Sequence, residues 1–455
     1  MMVNARAIQH CLHRWIAGCA ALLTLVLSVS HSLANANVSD SSQILFRMTG
    51  SNTIGADLAP AQVKRYLQSI GASDIAQRSE GETHWIDATL NGAPVVVPII
   101  ALGSSTGFKA LRSGTADIGM ASRKIKAKEV DQLAHLGDFA GPQAEHVIGL
   151  DALVVSIHKD NPVSQLTMTQ LAQIYRGEIR NWSQLGGPNL PIRPLHRDIE
   201  SGTRATFDSE VFGASRSAAP FVYEVSGNHE TRALVQRDRG AIGYLPFADA
   251  DGLHKVAIKA GELAAVVPDR GIIATEDFPL TRRLYLYRNP GKFNPHVDAF
   301  IQFVESHKGQ HVVADVGFIN LTPVALQMTP YTNAPDNYRQ LMESGSRLSI
   351  SFRFADGSTE LDNRALRDLQ RLQEFMEEDE NRDLSLTLVG FSDQKSNRNI
   401  SDLISRFRAL KVQGALLRNH KLGDSQIMSV GAFAPLTASS EHGPVKNSRV
   451  EVWIN

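Results

Sequence analysis

The sequence predicts a two-lobed α/β domain followed by a smaller α+β sandwich. Three observations carry that expectation. From about Ile44 to Pro323, strand-like apolar runs alternate with amphipathic helical stretches, the pattern of an α/β fold with a mostly parallel sheet. That region spans nearly 280 residues, large for a single sheet, so two lobes are expected. Beyond a break at residues 327–346 the hydrophobic pattern restarts in a different order. The resulting division is a leader at 1–36, a first domain at 37–326, a linker at 327–346 and a last domain at 347–455.

The leader comes first. Residues 1–36 contain no Asp or Glu, Arg6 and Arg14 supply positive charge, Trp15 to Ser30 is apolar, and Ala34-Asn35-Ala36 is a small-x-small cleavage pattern. This is the architecture of a secretory signal peptide. Cys11 and Cys19 both lie inside it, so the mature chain has no thiol for a disulfide or a thiolate metal site. The remaining sequence has no apolar segment long enough to span a bilayer. The formal net charge is −1 and the pI about 7.0, which gives no global bias toward nucleic acid.

In the first domain the strand candidates include Val95–Leu102, Ala116–Ala121, His146–Ile157 and Gly240–Leu245. The helix candidates include Ala59–Ser69, Met168–Arg176 and His296–Ser306. Pro330, Asn333, Pro335 and Asn337 mark the break, with room for a short helix around Tyr338–Met342. The last domain opens with Leu348, Ile350, Phe352 and Phe354 alternating with polar residues, a half-buried strand. Ala365, Leu369, Leu372 and Met376 follow at helical spacing. Leu384, Leu386 and Leu388 alternate again, Ile400 to Phe407 mark a second helix, and Val450, Val452 and Ile454 close the chain as a strand.

Three loops share one chemistry. They are Gly50-Ser51-Asn52-Thr53-Ile54, Gly103-Ser104-Ser105-Thr106-Gly107 and Arg197-Asp198-Ile199-Glu200-Ser201-Gly202-Thr203. Each places Gly with Ser or Thr at a strand-to-helix turn. Helix N-termini offer free N–H groups and partial positive charge, and glycine lets the backbone approach a ligand. Hydroxyls add neutral donors, and Arg197 adds a guanidinium suited to an oxyanion.

With Ala116-Asp117-Ile118-Gly119-Met120-Ala121-Ser122-Arg123, Ile174-Tyr175-Arg176-Gly177, Asn181-Trp182 and Gly240-Ala241-Ile242-Gly243-Tyr244, the stretch from Met48 to about Leu321 resembles the substrate-binding proteins of bacterial phosphate ABC importers. The resemblance implies a type II periplasmic binding protein whose two lobes close over phosphate or a related oxyanion, with an ABC permease as a further expected partner and no cofactor. It implies ligand contacts at Thr53, Ile54, Ser104, Arg197, Ser201, Gly202 and Thr203, beside Ser51 and Ser105 of the same loops. The best-known members carry an Asp where this chain has Ser122. That carboxylate accepts the proton of bound phosphate and rejects unprotonated sulfate. Asp151 is the candidate to compensate.

Gly103-Ser104-Ser105-Thr106-Gly107 also matches a nucleophile elbow, which makes Ser105 the candidate of an alternative serine-hydrolase reading. His158, His196 and His229 are not in a recognisable base setting, and no His-Gly-Gly loop is present. The expected class is therefore a binding protein and not an enzyme. No metal-ligand spacing appears. An adhesion or biofilm role on a receptor fold remains a third reading.

From about Leu348 to Asn455 the chain resembles the OmpA-like peptidoglycan-binding family. The carriers are Gly390-Phe391-Ser392-Asp393, Ile404-Ser405-Arg406-Phe407-Arg408-Ala409 and Asn447-Ser448-Arg449-Val450-Glu451. The resemblance implies that Asp393 and Arg408 grip the ammonium and carboxylate of the diaminopimelate in a wall peptide stem. Ser396, Ser401 and Ser448 depart from the family's usual Gly, Asn and Arg. Together the two resemblances imply a periplasmic location associated with the cell wall or outer membrane.

Overall fold

The computed structural model describes residues 42–213, 218, 222–260, 265–330, 334–354, 358–392, 398–420, 425–433 and 447–455. The leader and its two cysteines lie outside them. The main strands of the first domain are β1 (Met48–Gly50), β2 (Ser73–Glu80), β3 (Thr83–Leu90), β4 (Ala93–Ile100), β5 (Ile118–Ala121), β6 (Glu145–Ile157), β7 (Arg193–Arg197), β8 (Tyr223–Val225), β9 (Ala241–Pro246) and β10 (Thr281–Arg288). They form one sheet in the order β8-β7-β9-β6-β10-β5-β1-β4-β3-β2.

The sheet is mixed, not mostly parallel. β1 runs parallel to β4 and β5, and β7 parallel to β8 and β9. The centre, β9-β6-β10-β5, is antiparallel, as is the β2-β3-β4 meander. In the meander the cause is connection length. Strands joined by two residues must pair antiparallel, because a parallel pair needs a crossover of a dozen or more residues. Asn91 and Gly92 join β3 to β4 with φ of 51° and 79°, the left-handed geometry an Asn-Gly hairpin turn supplies.

β6 is the strand common to both lobes. All thirteen of its residues are buried, as its near-continuous apolar sequence requires. Glu145 to Ala152 pair with β10, and Leu153 to Ile157 with β9. Two separate hydrophobic cores flank this trunk. One gathers Met48, Ile54, Val63, Val97 and Phe300, the other Leu153, Leu171, Trp182, Phe207 and Tyr244.

Helices of the first domain include α1 (Asn52–Gly55), α2 (Leu58–Ser69), α3 (Ser104–Ser113), α4 (Met168–Arg176) and α5 (Gly202–Phe212). α4 shows how the local sequence sets them. Thr167 and Gln170 form a reciprocal capping box at its start, and Gly177 closes it at φ 75°.

The C-terminal unit has β11 (Ala325–Leu326), α6 (Asp336–Ser344), β12 (Ser346–Arg353), α7 (Asn363–Glu377), β13 (Leu386–Gly390), α8 (Arg398–His420), β14 (Ser425–Ser429) and β15 (Arg449–Ile454). Its sheet order is β11-β12-β15-β13-β14. The segment read as a linker is part of this unit. β11 pairs with β12, and Tyr338 of α6 packs against Trp453 and Phe391.

The two units are joined by a buried ionic interface. Glu276 pairs with Arg283 of its own domain at 2.8 Å, and with Arg353 at 3.1 Å and Arg364 at 3.0 Å from the other. Asp277 meets Arg347 and Arg353, and Arg283 meets Asp362. Glu276 holds a left-handed backbone at φ 59°, a costly conformation for glutamate. Burial would raise its pKa, but Arg283, Arg364 and Arg353 hold the carboxyl far below its usual range. Asp277 is likewise held down at about 2 by Arg347, Arg449 and Arg353, against the effect of burial.

Candidate functional site

The three loops meet between the lobes. Gly50, at φ 144°, brings the first loop against β5: a β-carbon there would stand 2.1 Å from the Met120 carbonyl oxygen. Ser51 precedes α1, and its backbone N–H donates to that same carbonyl at 2.8 Å. Thr53 is buried and faces the other lobe, while the Ile54 side chain belongs to the core. In the second loop Ser104 opens α3 and is fully buried, with its Oγ accepting the Ser122 N–H at 3.0 Å. In the third, the Ser201 hydroxyl caps α5 by accepting the Arg204 N–H at 3.3 Å.

Contacts cross the cleft at several places, among them Lys109 with Glu200 at 2.9 Å and the Thr206 hydroxyl donating to the Ser122 carbonyl at 3.3 Å. Thr53 Oγ1 and Thr203 Oγ1 lie 3.2 Å apart. A β-carbon added to Gly202 would fall 2.0 Å from Ser104 Oγ and 2.6 Å from Ser122 Oγ. The lobes are therefore shut, and glycine at 202 is what lets them shut.

Arg282 of β10 is the residue that sequence reasoning missed. Its Nη1 donates to Thr203 Oγ1 at 2.7 Å and its Nη2 to Thr53 Oγ1 at 3.2 Å. Its Nε and Nη2 both reach Asp151 Oδ2, at 2.8 and 2.6 Å. Asp151 Oδ1 accepts the Phe247 N–H at 2.8 Å. Burial pushes the Asp151 pKa up, while Arg282 and the backbone donors pull against it. The compensation expected of Asp151 is therefore not available: the residue is fully buried and both oxygens serve other partners. The signal for Arg282 was present as two arginines opening the apolar run Thr281-Arg282-Arg283-Leu284-Tyr285-Leu286-Tyr287, since a charge on a buried strand is normally paired.

Arg197 ends β7 and is buried. Its Nη1 donates to Asn228 Oδ1 at 2.7 Å, and its Nη2 to Asp198 and to the Ser226 carbonyl, each at 3.2 Å. Its Nε is buried and has no hydrogen-bond partner among the described residues. Asn228 passes the chain of contacts on to Asp249 at 2.7 Å. Burial and the neighbouring Asp151 charge push the Asp249 pKa up to about 6.

Ser105 does not join the set. Its hydroxyl accepts from Arg123 at 3.2 Å, and Arg123 pairs with Glu129 at 2.6 Å. Among the described residues no histidine is hydrogen-bonded to it. A cavity of about 920 Å³ opens between both lobes and the C-terminal unit, with Arg204, Arg282, Arg353 and Asp362 on its walls.

In the C-terminal unit, Asp393 lies outside the described residues. Arg408, on α8, is buried, its Nη1 donating to the Phe391 carbonyl at 3.3 Å and its guanidinium 5.3 Å from the Phe354 ring centre. Glu451 anchors the interior there, accepting from Arg449, Trp453 and Tyr338. Among the described residues no helix is long and apolar enough to cross a membrane, and no group of His, Cys, Asp and Glu could hold a metal ion.

A PBP superfamily domain matches residues 77–308, and the OmpA family matches residues 353–450. The phosphate-binding protein PstS of Pseudomonas aeruginosa is 31% identical over 273 residues, covering 56% of this chain and 83% of the relative. The phosphate-binding protein PstS of Bacillus subtilis is 26% identical over 227 residues, covering 50% of this chain and 71% of the relative. Among solved structures, an ABC-type phosphate transport receptor from Vibrio cholerae aligns with a TM-score of 0.46 at 23% identity, covering 60% of this chain and 99% of that one.

Proposed function

We propose, for a chain that belongs to the PBP superfamily and ends in an OmpA family domain, that it is a periplasmic phosphate receptor held non-covalently to peptidoglycan. The observation that carries the first half is the meeting of Thr53 and Thr203 across the lobes, with Ser104 and Ser122 shut against Gly202 beside them. Such a cleft presents hydroxyls, two helix N-termini and an Arg197 Nε that has no partner among the described residues to whatever it closes on, which is the chemistry of a tetrahedral anion. The second half rests on the C-terminal family and on the buried guanidinium of Arg408.

The hydrolase reading has less support, because Ser105 is engaged by a cation rather than by a base. Isothermal titration of the leader-free protein with phosphate tests the receptor reading. One site per chain with a Kd in or below the micromolar range is expected; no heat at millimolar phosphate would end it.

A further inference from the structure

The helix α8 carries apolar side chains on two opposite faces. Ala409, Val412, Ala415 and Leu416 turn inward and join the core of the C-terminal unit. Ile400, Leu403, Phe407, Leu410 and Leu417 turn outward and are 42–54% exposed. They are five of the twelve large apolar side chains that stand exposed among the described residues, so they form a patch and are not single apolar residues scattered on a surface. A helix that is apolar all round is normally covered all round. Here one side is covered.

The spacing of the outer set says what fits it. Ile400, Leu403, Phe407, Leu410, Gly414 and Leu417 follow one another by three, four, three, four and three residues, which are the a and d positions of a heptad seam. The seam runs about 25 Å along the helix. Gly414 leaves a hollow in it, and a groove of about 470 Å³ passes that hollow, bordered by Phe407, Leu410 and Arg418. A knob from a facing helix fills such a hole. The edges of the seam are basic. Arg406 and Arg418 are exposed and make no ion pair among the described residues, and Lys411 meets Glu360 at 3.0 Å. Residues 398–420 contain five Lys or Arg and one acid, Asp402.

We propose that the outer face of α8 docks an acidic amphipathic helix of a partner protein, taken up as the second strand of a two-helix coiled coil. Apolar side chains of that helix would fill the seam, and its flanking carboxylates would meet Arg406, Lys411 and Arg418. A second copy of α8 is a poor occupant, because it would set these cations against their own kind with one acid per helix to offset them. A lipid surface is a poor occupant too. A helix lying in a bilayer interface presents a broad apolar face, whereas a strict a/d stripe is narrow. Arg408 faces the interior of the unit, so this surface is separate from the wall-peptide reading as well as from the inter-lobe cleft.

The test is fluorescence anisotropy of two labelled helical peptides of about three heptads, titrated with the leader-free full chain. Both carry Leu at a and d; one has Glu at e and g, the other Lys. Like charges at e and g keep each peptide from pairing with itself. The acidic peptide should bind with a Kd in the micromolar range and the basic one at least about tenfold more weakly. Phe407→Ser with Leu410→Ser should weaken the acidic peptide by about tenfold or more, with melting unchanged because both side chains already stand half in solvent. Arg406→Glu with Arg418→Glu alters exposed groups only and should reverse the preference between the peptides, which decides the matter even if the serine variant melts early. Failure of the acidic peptide to bind at about millimolar protein, or equal binding of both peptides, overturns the proposal. Sedimentation with phosphatidylglycerol vesicles that the serine variant abolishes would assign the face to a lipid surface. A concentration-dependent dimer that the same variant dissociates would assign it to a second copy. Either result overturns the partner helix.

Discussion

Asp151 and Arg282 are partners in the ladder between β6 and β10, and their side chains close the same pairing at 2.6 Å with both residues buried. The register that builds the sheet therefore also aims the guanidinium at Thr53 and Thr203. Removing one member of a buried ion pair leaves the other uncompensated and costs about 3–5 kcal/mol, whereas replacing both costs far less. Arg282→Met and Asp151→Asn should each lower unfolding stability by that order. The double variant should lose less than the sum, with a coupling of about 2 kcal/mol or more. Urea unfolding of the four proteins measures this; simple additivity would mean that the two side chains do not act as a unit.

Arg197 carries the second prediction. Its buried Nε is a donor without a partner among the described residues, and loss of a charge-assisted bond in a closed cleft is expensive. Arg197→Ala should weaken phosphate binding by about a hundredfold or more, while Ser104→Ala should cost about tenfold. Calorimetry reads both. An Arg197→Ala protein that binds within fivefold of wild type would remove this residue from the site.

Asp249 gives a pH signature. Its pKa is pushed up to about 6 by burial and the Asp151 charge, above the roughly 3.9 of an unfolded aspartate. The folded protein therefore binds this proton more tightly than the unfolded chain does, and stability falls as pH rises from about 4 through 6. Asp249→Asn keeps an acceptor for Asn228 and removes the charge. It should stabilise the protein by about 2 kcal/mol at pH 8, with the gain fading toward pH 4. A gain that does not change with pH would point to packing and not to titration.

The interface should couple the two units in unfolding. Arg347, Arg353 and Arg364 reach across to Glu276 and Asp277, all buried or nearly so. Scanning calorimetry of wild type should show one transition. Glu276→Gln with Asp277→Asn should split it in two, because the arginines lose their counter-charges. Both carboxyls are depressed, so their contribution is present above the unfolded pKa near 4 and is lost as pH falls through about 2 for Asp277 and lower for Glu276. Limited proteolysis at the junction should accordingly be slow at pH 4 and rapid near pH 2. Two resolved transitions in the wild type at neutral pH would contradict this coupling.

Much of the fold was legible in the residues. Met168–Arg176 is the helix its capping box and C-terminal glycine announce, and the long apolar run at 146–157 became the trunk strand. Each loop alone reads as an ordinary Ser or Thr helix cap, which is what Ser201 is; it is the recurrence of three such turns, one with Arg197, that points to a shared cleft. Direction was harder. Asn91-Gly92 marks a hairpin, but apolar runs on their own do not say parallel or antiparallel. Pairing of distant charges was illegible: Asp151 and Arg282 are 131 residues apart, and Arg364 reaches Glu276 across the domain boundary. Such partners are chosen by the assembled sheets and not by local spacing. The short helix expected within the break at 327–346 is present, but that its Tyr338 fills the second unit's interior is another long-range contact that the prolines and asparagines around it do not announce.

The wall-binding half is tested at Arg408 and Asp393. Arg408 is 2% exposed, so its loss could act through the fold of the domain or through the ligand, and the two must be separated. Arg408→Lys keeps the charge but cannot make a bidentate pair with a carboxylate. If the guanidinium grips one end of a diaminopimelate and Asp393 the other, Arg408→Ala, Arg408→Lys and Asp393→Ala should each cut sedimentation with purified sacculi by about tenfold or more. The double variant Asp393→Ala, Arg408→Ala should be little worse than either single change, because one ligand residue is lost in every case. Arg197→Ala should sediment as wild type, since its contacts all lie in the first domain. Thermal unfolding of each variant supplies the control. Lost sedimentation with unchanged melting places these residues at the ligand, whereas lost sedimentation that tracks a collapsed melting temperature assigns Arg408 to the interior of the domain. Variants that sediment and melt like wild type would show that the wall is held elsewhere.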